Sequence, residues 1–201
     1  ADKVQISWVP SVGASHHQIR RTLMQQFPWT FEVITKTTAS FYDDPIPEAG
    51  VIYLYTVAAC NDNGCSPASG IVQGWRRAHI TINEVSVGDP DWVEIHNLEP
   101  KPIAIPAVNL SFYTTDVGAL GTYTFTDLNI PANGYSIFQE GKALHHIASD
   151  ILHLGFDIGW DYGQDGAISL HSPYASFDFV RWGNSSVEPP AGTPWKGANP
   201  P

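Results

Sequence analysis

The sequence predicts an all-β chain folded as two β-sandwiches. Short runs of β-branched and aromatic residues recur along the 201 residues, separated by Gly, Pro, Asn and Asp. Gly (17) and Pro (16) are frequent enough for many turns and too sparse for a low-complexity chain. Amphipathic helical spacing occurs only over Lys142 to Leu154.

Each run is read in order. Val4, Ile6 and Trp8 alternate on one face, which makes Val4 to Trp8 a strand ended by Pro10. Thr30 to Thr35 and Tyr53 to Cys60 follow. In the latter Tyr53, Tyr55, Val57 and Ala59 share a face before Asn61 and Gly64 turn the chain. Gln73 to Arg77 then separates a first domain, 1–75, from a second, 76–201. The second carries Thr81 to Val87, Trp92 to His96, Gly121 to Phe125, Tyr135 to Gln139, Ala167 to His171 and Phe177 to Trp182 as strands. Trp8, Tyr53, Trp92 and Trp182 are the expected large core anchors, with Glu94 half-buried and paired to Arg181.

Composition excludes several classes. Hydrophobic residues make up 43% and charged residues 15%, enough apolar surface for a core and too little charge for disorder. No apolar run approaches the ~18 residues of a membrane span. No basic and then apolar leader opens the chain, and the expectation is a mature or excised fragment of a longer protein. The net charge of −10 lies in the second half: residues 1–77 hold six acids and six bases, residues 78–201 fourteen acids and four bases. Nucleic acid is therefore a poor partner, since phosphates demand Lys and Arg.

Cys60-Asn-Asp-Asn-Gly64-Cys65 holds both cysteines. A tight loop between two strands could bring them within disulfide range, and two free thiols are the alternative. Ser7-Trp8, Gly50, Tyr53-x-Tyr55-x-Val57-x-Ala59-x-Asn61, Gly64-x-Ser66 and Ser69 together resemble a fibronectin type III domain. That resemblance implies a bridged Cys60–Cys65 and a tyrosine corner at Tyr53.

Ile82-Asn83-Glu84-Val85, Asp91-Trp92-Val93-Glu94-Ile95-His96-Asn97, the Pro131-to-Tyr135 turn, Asp178-x-Val180-x-Trp182-Gly183 and Pro190 to Trp195 resemble a bacterial lamin tail domain, an immunoglobulin-like sandwich. Asn109 to Tyr113 stands where family members often carry a Gly-Trp pair. The resemblance implies a non-catalytic module that accompanies secreted or surface hydrolases, nucleases and adhesins.

Three constellations carry candidate chemistry. If Lys142 to Leu154 is helical, Leu144, Ile147, Ile151 and Leu154 share one face and His146, Asp150 and His153 the other, a zinc-type arrangement against the alternative of a solvated face. Asp157, Asp161 and Asp165 put three carboxylates in a Gly-rich loop, which suits calcium or, as the blander alternative, Asx turns. Trp160, Asp161, Tyr162, Gln164 and Asp165 pair aromatic faces with polar side chains, the chemistry of glycan stacking, although loop aromatics also cover sandwich ends. No nucleophile elbow, zinc-protease helix or phosphate loop is present.

The expectation is a non-catalytic accessory or adhesion region of a secreted or cell-surface bacterial protein. It would space, anchor or present other domains of the same polypeptide and contact a cell-surface glycan or protein, with no required cofactor. A carbohydrate-binding region and a hydrolase with an unrecognised site are the alternatives.

Overall fold

In a computed structural model of the chain, residues 3–45, 48–114, 118–141, 146–147 (backbone only), 151–161, 163–193, 195 and 197 are described. The chain divides into two compact units, Ala1–Arg77 and Ala78–Pro201. Among the described residues there is no helix, so none is long and apolar enough to cross a membrane.

The first unit contains β1 (Val4–Ser7), β2 (His16–Leu23), β3 (Glu32–Thr37), β4 (Phe41–Asp44), β5 (Ile52–Asn61), β6 (Gly64–Cys65) and β7 (Val72–Trp75). β1 and β4 form one antiparallel sheet, and β3, β2 and β5 form another, extended by β6 and β7 on β5. Val4 and Ile6 of β1 meet Ile19 of β2 and Val51, Tyr53 and Tyr55 around β5, so the two sheets enclose one core. Trp8 packs against that cluster while only partly buried. The Tyr53 hydroxyl accepts a bond from the Glu48 N–H at 3.4 Å, the back-bonding expected of a tyrosine corner. Gly74 lies so close to Val4 and Tyr55 that a Cβ there would sit 2.6 Å from Val4 Cγ1.

The second unit contains β8 (Ile80–Ser86), β9 (Trp92–Asn97), β10 (Ile103–Thr114), β11 (Gly118–Ile130), β12 (Tyr135–Gln139), β13 (His146–Ile147), β14 (Ile151–His153), β15 (Gly166–His171) and β16 (Ser176–Trp182). One sheet runs β11-β10-β15-β16, the other β13-β14-β12-β9-β8. Val93 and Ile95 from one sheet and Ile105, Leu110, Phe112, Ile168 and Leu170 from the other have no exposed surface. Phe125 and Phe138 meet edge to face across the sheets at 4.8 Å. The chain is thus all-β and built of two sandwiches.

Three strand-level expectations are corrected. The described part of Lys142 to Leu154 is two strands: Ile151, Leu152 and His153 pair in parallel with Ile137, Phe138 and Gln139. Sheet pairing overrides the helical spacing, and helical grouping of His146, Asp150 and His153 goes with it. Trp92 is not a core anchor. Strand parity buries Val93 and Ile95 and leaves Trp92 half-buried on the opposite face. Glu94 does not pair with Arg181. Its Oε1 accepts from Asn83 Nδ2 at 2.7 Å, across a register irregularity in β8 that turns Asn83 to the same side. Arg181 instead donates to the Val187 carbonyl at 2.9 Å and faces Glu188.

Candidate functional site

A carboxylate knot ties loops of the second unit together. Asp91 ends the turn before β9 and Glu140 follows β12. Asp91 Oδ1 accepts the Gly88 N–H at 2.7 Å and Oδ2 the Trp160 N–H at 3.0 Å. Glu140 Oε1 accepts the Asp91 N–H at 2.7 Å and Oε2 the Ile158 N–H at 3.1 Å. Each of the four carboxylate oxygens therefore holds one backbone donor, and three loops are tied together.

Burial pushes the carboxyls of both residues above the ordinary range. The backbone donors pull the other way, and neighbouring acids, Asp157 among them for both groups, push further up. Asp91 has 1% of its surface exposed, so it presents no face to a substrate. This arrangement holds loops; it does not offer an acid and a base to a reacting bond.

Trp160 belongs to the same knot. It is 3% exposed, its Nε1 donates to the Tyr113 carbonyl at 3.1 Å, and its ring contacts Phe112 and Trp182 edge to face. The expectation of an exposed stacking ring at Trp160 is corrected. A loop that closes a sandwich end sinks its largest apolar ring, and the indole N–H finds a carbonyl there.

The remaining loop residues make local bonds. Asp157 Oδ1 accepts the Gly159 N–H at 2.8 Å, an Asx turn. Asp161 Oδ2 accepts from Gln164 Nε2 at 3.1 Å, and Asp165 packs against Gly183. Among the described residues no group of three His, Cys, Asp or Glu is placed to hold a metal ion. His153 lies with its Nδ1 3.2 Å from where a Cβ on Gly141 would stand. Tyr162, Asp150 and the His146 side chain lie outside the described residues.

Two other features hold the first unit. Cys60 and Cys65 are bonded to each other across the β5–β6 hairpin, as the resemblance implied. Asp44, 1% exposed, accepts from Arg21 Nη1 at 2.6 Å and from the Tyr55 hydroxyl at 3.0 Å. Arg21 also lies over the Tyr53 ring at 4.9 Å. Burial and the Asp44 charge push the Tyr55 hydroxyl far up, so it stays a donor. Sequence reading missed this triad because its members come from three strands, two of them unrecognised.

A groove of about 470 Å³ opens where β8 and β16, the edge strands of the two sheets, run side by side. Ile82, Asn83, Glu84, Val85, Val87, Val180 and Trp182 line it. At one end Asp178 of β16 joins the edges by accepting from the Ile82 N–H at 2.8 Å and from the Thr81 hydroxyl.

No family model matches the chain, and no curated protein matches it. Solved structures do. A two-domain fibronectin type III segment of chicken tenascin is similar at 9% identity and a TM-score of 0.48, over 90% of this chain and 91% of that one. The FN1–FN3 domains of chicken CNTN1 align at 10% identity and 0.31, over 85% of this chain and 57% of that one. The chicken interferon gamma receptor alpha chain aligns at 10% identity and 0.28, over 87% and 84%.

Proposed function

We propose that this chain is a non-catalytic accessory region of a secreted or cell-surface bacterial multidomain protein, where it spaces, anchors or presents a partner domain. The observation that carries the reading is the use of buried Asp91 and half-buried Glu140. All four oxygens of Asp91 and Glu140 are bound to backbone N–H groups, which leaves them as structural ties. In this reading the first unit is a fibronectin type III module, supported by the Tyr53 and Tyr55 pattern and by a two-stranded sheet packed on a larger one. The second is a lamin tail module, supported by its Asp91-to-Asn97 strand and by an immunoglobulin-like pair of sheets. The Cys60–Cys65 bond supports an oxidising, extracellular compartment. Other domains of the same polypeptide are the first partners, and a surface glycan or protein the second. No cofactor is needed for this role.

The test is a panel of ester, phosphate and glycan substrates, run together with a glycan array and a calcium-dependent melting series. The expected result is no turnover. Turnover that Asp91→Asn abolishes while the melting point holds would establish a hydrolase instead. Glycan retention lost on Trp160→Phe, which keeps an aromatic ring, would return the Trp160 loop to the binding reading.

A further inference from the structure

The β8–β16 groove is the open mouth of the second sandwich. β8 is paired backbone to backbone only with β9, and β16 only with β15, among the described residues, and Asp178 joins the two edges at the Thr81–Ile82 end. Register gives the direction of the side chains. Ile82 and Val85 stand opposite the buried Ile95 and Val93, and Val180 stands opposite the buried Ile168. These are core-facing positions, yet Val85, Val87, Val180 and Trp182 are only half-buried. A core-facing apolar row left half in water at a sheet edge has the geometry of a sandwich short of one strand.

The outer face of the same edge is acidic. Glu84 lies directly opposite Glu94 across the β8–β9 pair, an unfavourable placement of like charges. Asn83 occupies Glu94, while Glu84 is exposed and has no ion pair among the described residues. Residues 78–201 contain four Lys and Arg against fourteen acids, and Arg181 is engaged by Val187 and Glu188.

We propose that this groove accepts an extended segment of another protein as an added strand on β8, with side chains that alternate apolar and basic. The apolar side chains enter the mouth against Val85, Val180 and Trp182. The alternate side chains stand on the outer face beside Glu84, where a Lys or Arg answers the Glu84 and Glu94 charges. Beyond the Ile82 N–H, which Asp178 already holds, the β8 edge from Asn83 to Ser86 is four residues, about 13 Å of strand, so about four residues of partner fill it. A second copy of this chain fits poorly, because β8 laid against β8 adds another Glu84 to the same edge. The inference does not depend on the spacing role; a strand acceptor works whether or not the chain also spaces domains.

The experiment uses the whole 201-residue chain and a fluorescent octapeptide alternating Val and Lys, compared with an alternating Val and Glu octapeptide and a block peptide of four Val then four Lys. Fluorescence anisotropy gives affinity, and amide exchange locates binding. The expected result is at least about tenfold preference for alternating Val and Lys over both controls, reversal of the Lys-over-Glu preference in Glu84→Lys, and new protection along β8. Glu84 is exposed on the surface, so its variant keeps the fold, which unchanged melting confirms. Equal affinity for the alternating and block peptides, no binding, protection away from β8, or a Glu84→Lys variant with wild-type preference would each overturn the proposal. So would self-association that competes with the peptide.

Discussion

Asp91 and Glu140 are bonded to each other twice through their backbones and side chains. The Glu140 carboxylate accepts the Asp91 N–H at 2.7 Å, and the Glu140 N–H donates to the Asp91 carbonyl at 3.0 Å. The start of β9 and the end of β12 are therefore fixed by reciprocal bonds, and the loop at Ile158 and Trp160 hangs on the same two carboxylates.

This knot gives the second unit a pH signature. Both carboxyls are raised in the folded chain. Their contribution is fully present below the unfolded values, about 3.9 for Asp and 4.3 for Glu, and is lost as pH rises through the folded values. His171 works in the opposite sense: burial lowers it, so its contribution is lost as pH falls below about 6.5. A difference measurement separates them. Asp157→Asn keeps an oxygen for the Gly159 N–H and removes a charge beside the knot. It is expected to gain ~0.5 kcal/mol in urea unfolding at pH 7.5, with the gain shrinking at pH 4. An equal gain at both pH values would contradict the charge account.

Removing the Asp91 carboxylate altogether is costly. Asp91→Ala leaves the Trp160 N–H without its acceptor in the buried interior and the Gly88 N–H without one at a part-buried position. Each buried donor without a partner costs ~1–3 kcal/mol, so a loss of about 3 kcal/mol is expected. Exchange of the Trp160 amide should accelerate in step with the global loss. A variant with the parent unfolding midpoint would show the bonds to be dispensable.

The sequence carried the fold through alternation and failed where alternation was impure. β9 buries every second residue, β5 and β15 are apolar runs buried on both faces, and these spans, with β12 and β16, were legible. β2 was not, because its core side mixes His17 and Ile19 with the charged Arg21, which reaches Asp44, and its other side carries Arg20 beside Thr22. β10 contains Pro106, which reads as a break. The break is tolerated because β10 pairs with β15 only over Asn109 to Thr114, so Pro106 faces a single neighbour. Segment 142–154 misled because Ile and Leu at helical spacing also suit short strands. The Asp91–Glu140 knot was invisible because backbone N–H groups have no letter in a sequence. The Cys60–Cys65 bond was legible because a tight loop between two strands allowed it and the resemblance to a fibronectin type III domain implied it.

The Asp44 triad predicts an asymmetry in the first unit. Tyr55→Phe removes one hydroxyl donor and leaves Arg21 in place, so it should cost ~1 kcal/mol. Asp44→Ala leaves the half-buried Arg21 guanidinium and the buried Tyr55 hydroxyl without this acceptor and should cost more, ~3 kcal/mol. Chemical denaturation of both variants checks the ratio. Equal costs would mean that Arg21 finds water or another acceptor and that the ion pair contributes little.

The Cys60–Cys65 bond should matter less than its chemistry suggests. Cross-linking stabilises mainly by restricting the unfolded chain, and only four residues lie between these cysteines. Loop-closure entropy for so short a ring gives about 2 kcal/mol. Noncovalent ties also hold the hairpin: the Ser66 N–H donates to the Ala59 carbonyl at 2.8 Å and the Asn63 N–H to Asn61 Oδ1 at 2.9 Å. The double variant Cys60→Ser with Cys65→Ser should therefore fold and lose at most ~2 kcal/mol in the first unit. The second unit, which contains no cysteine, should unfold at its parent midpoint. Hydrogen exchange read separately at Tyr55 and Leu110 distinguishes the units. Collapse of protection at Tyr55 would mean that the bridge organises the first core and does not merely trim a hairpin tip.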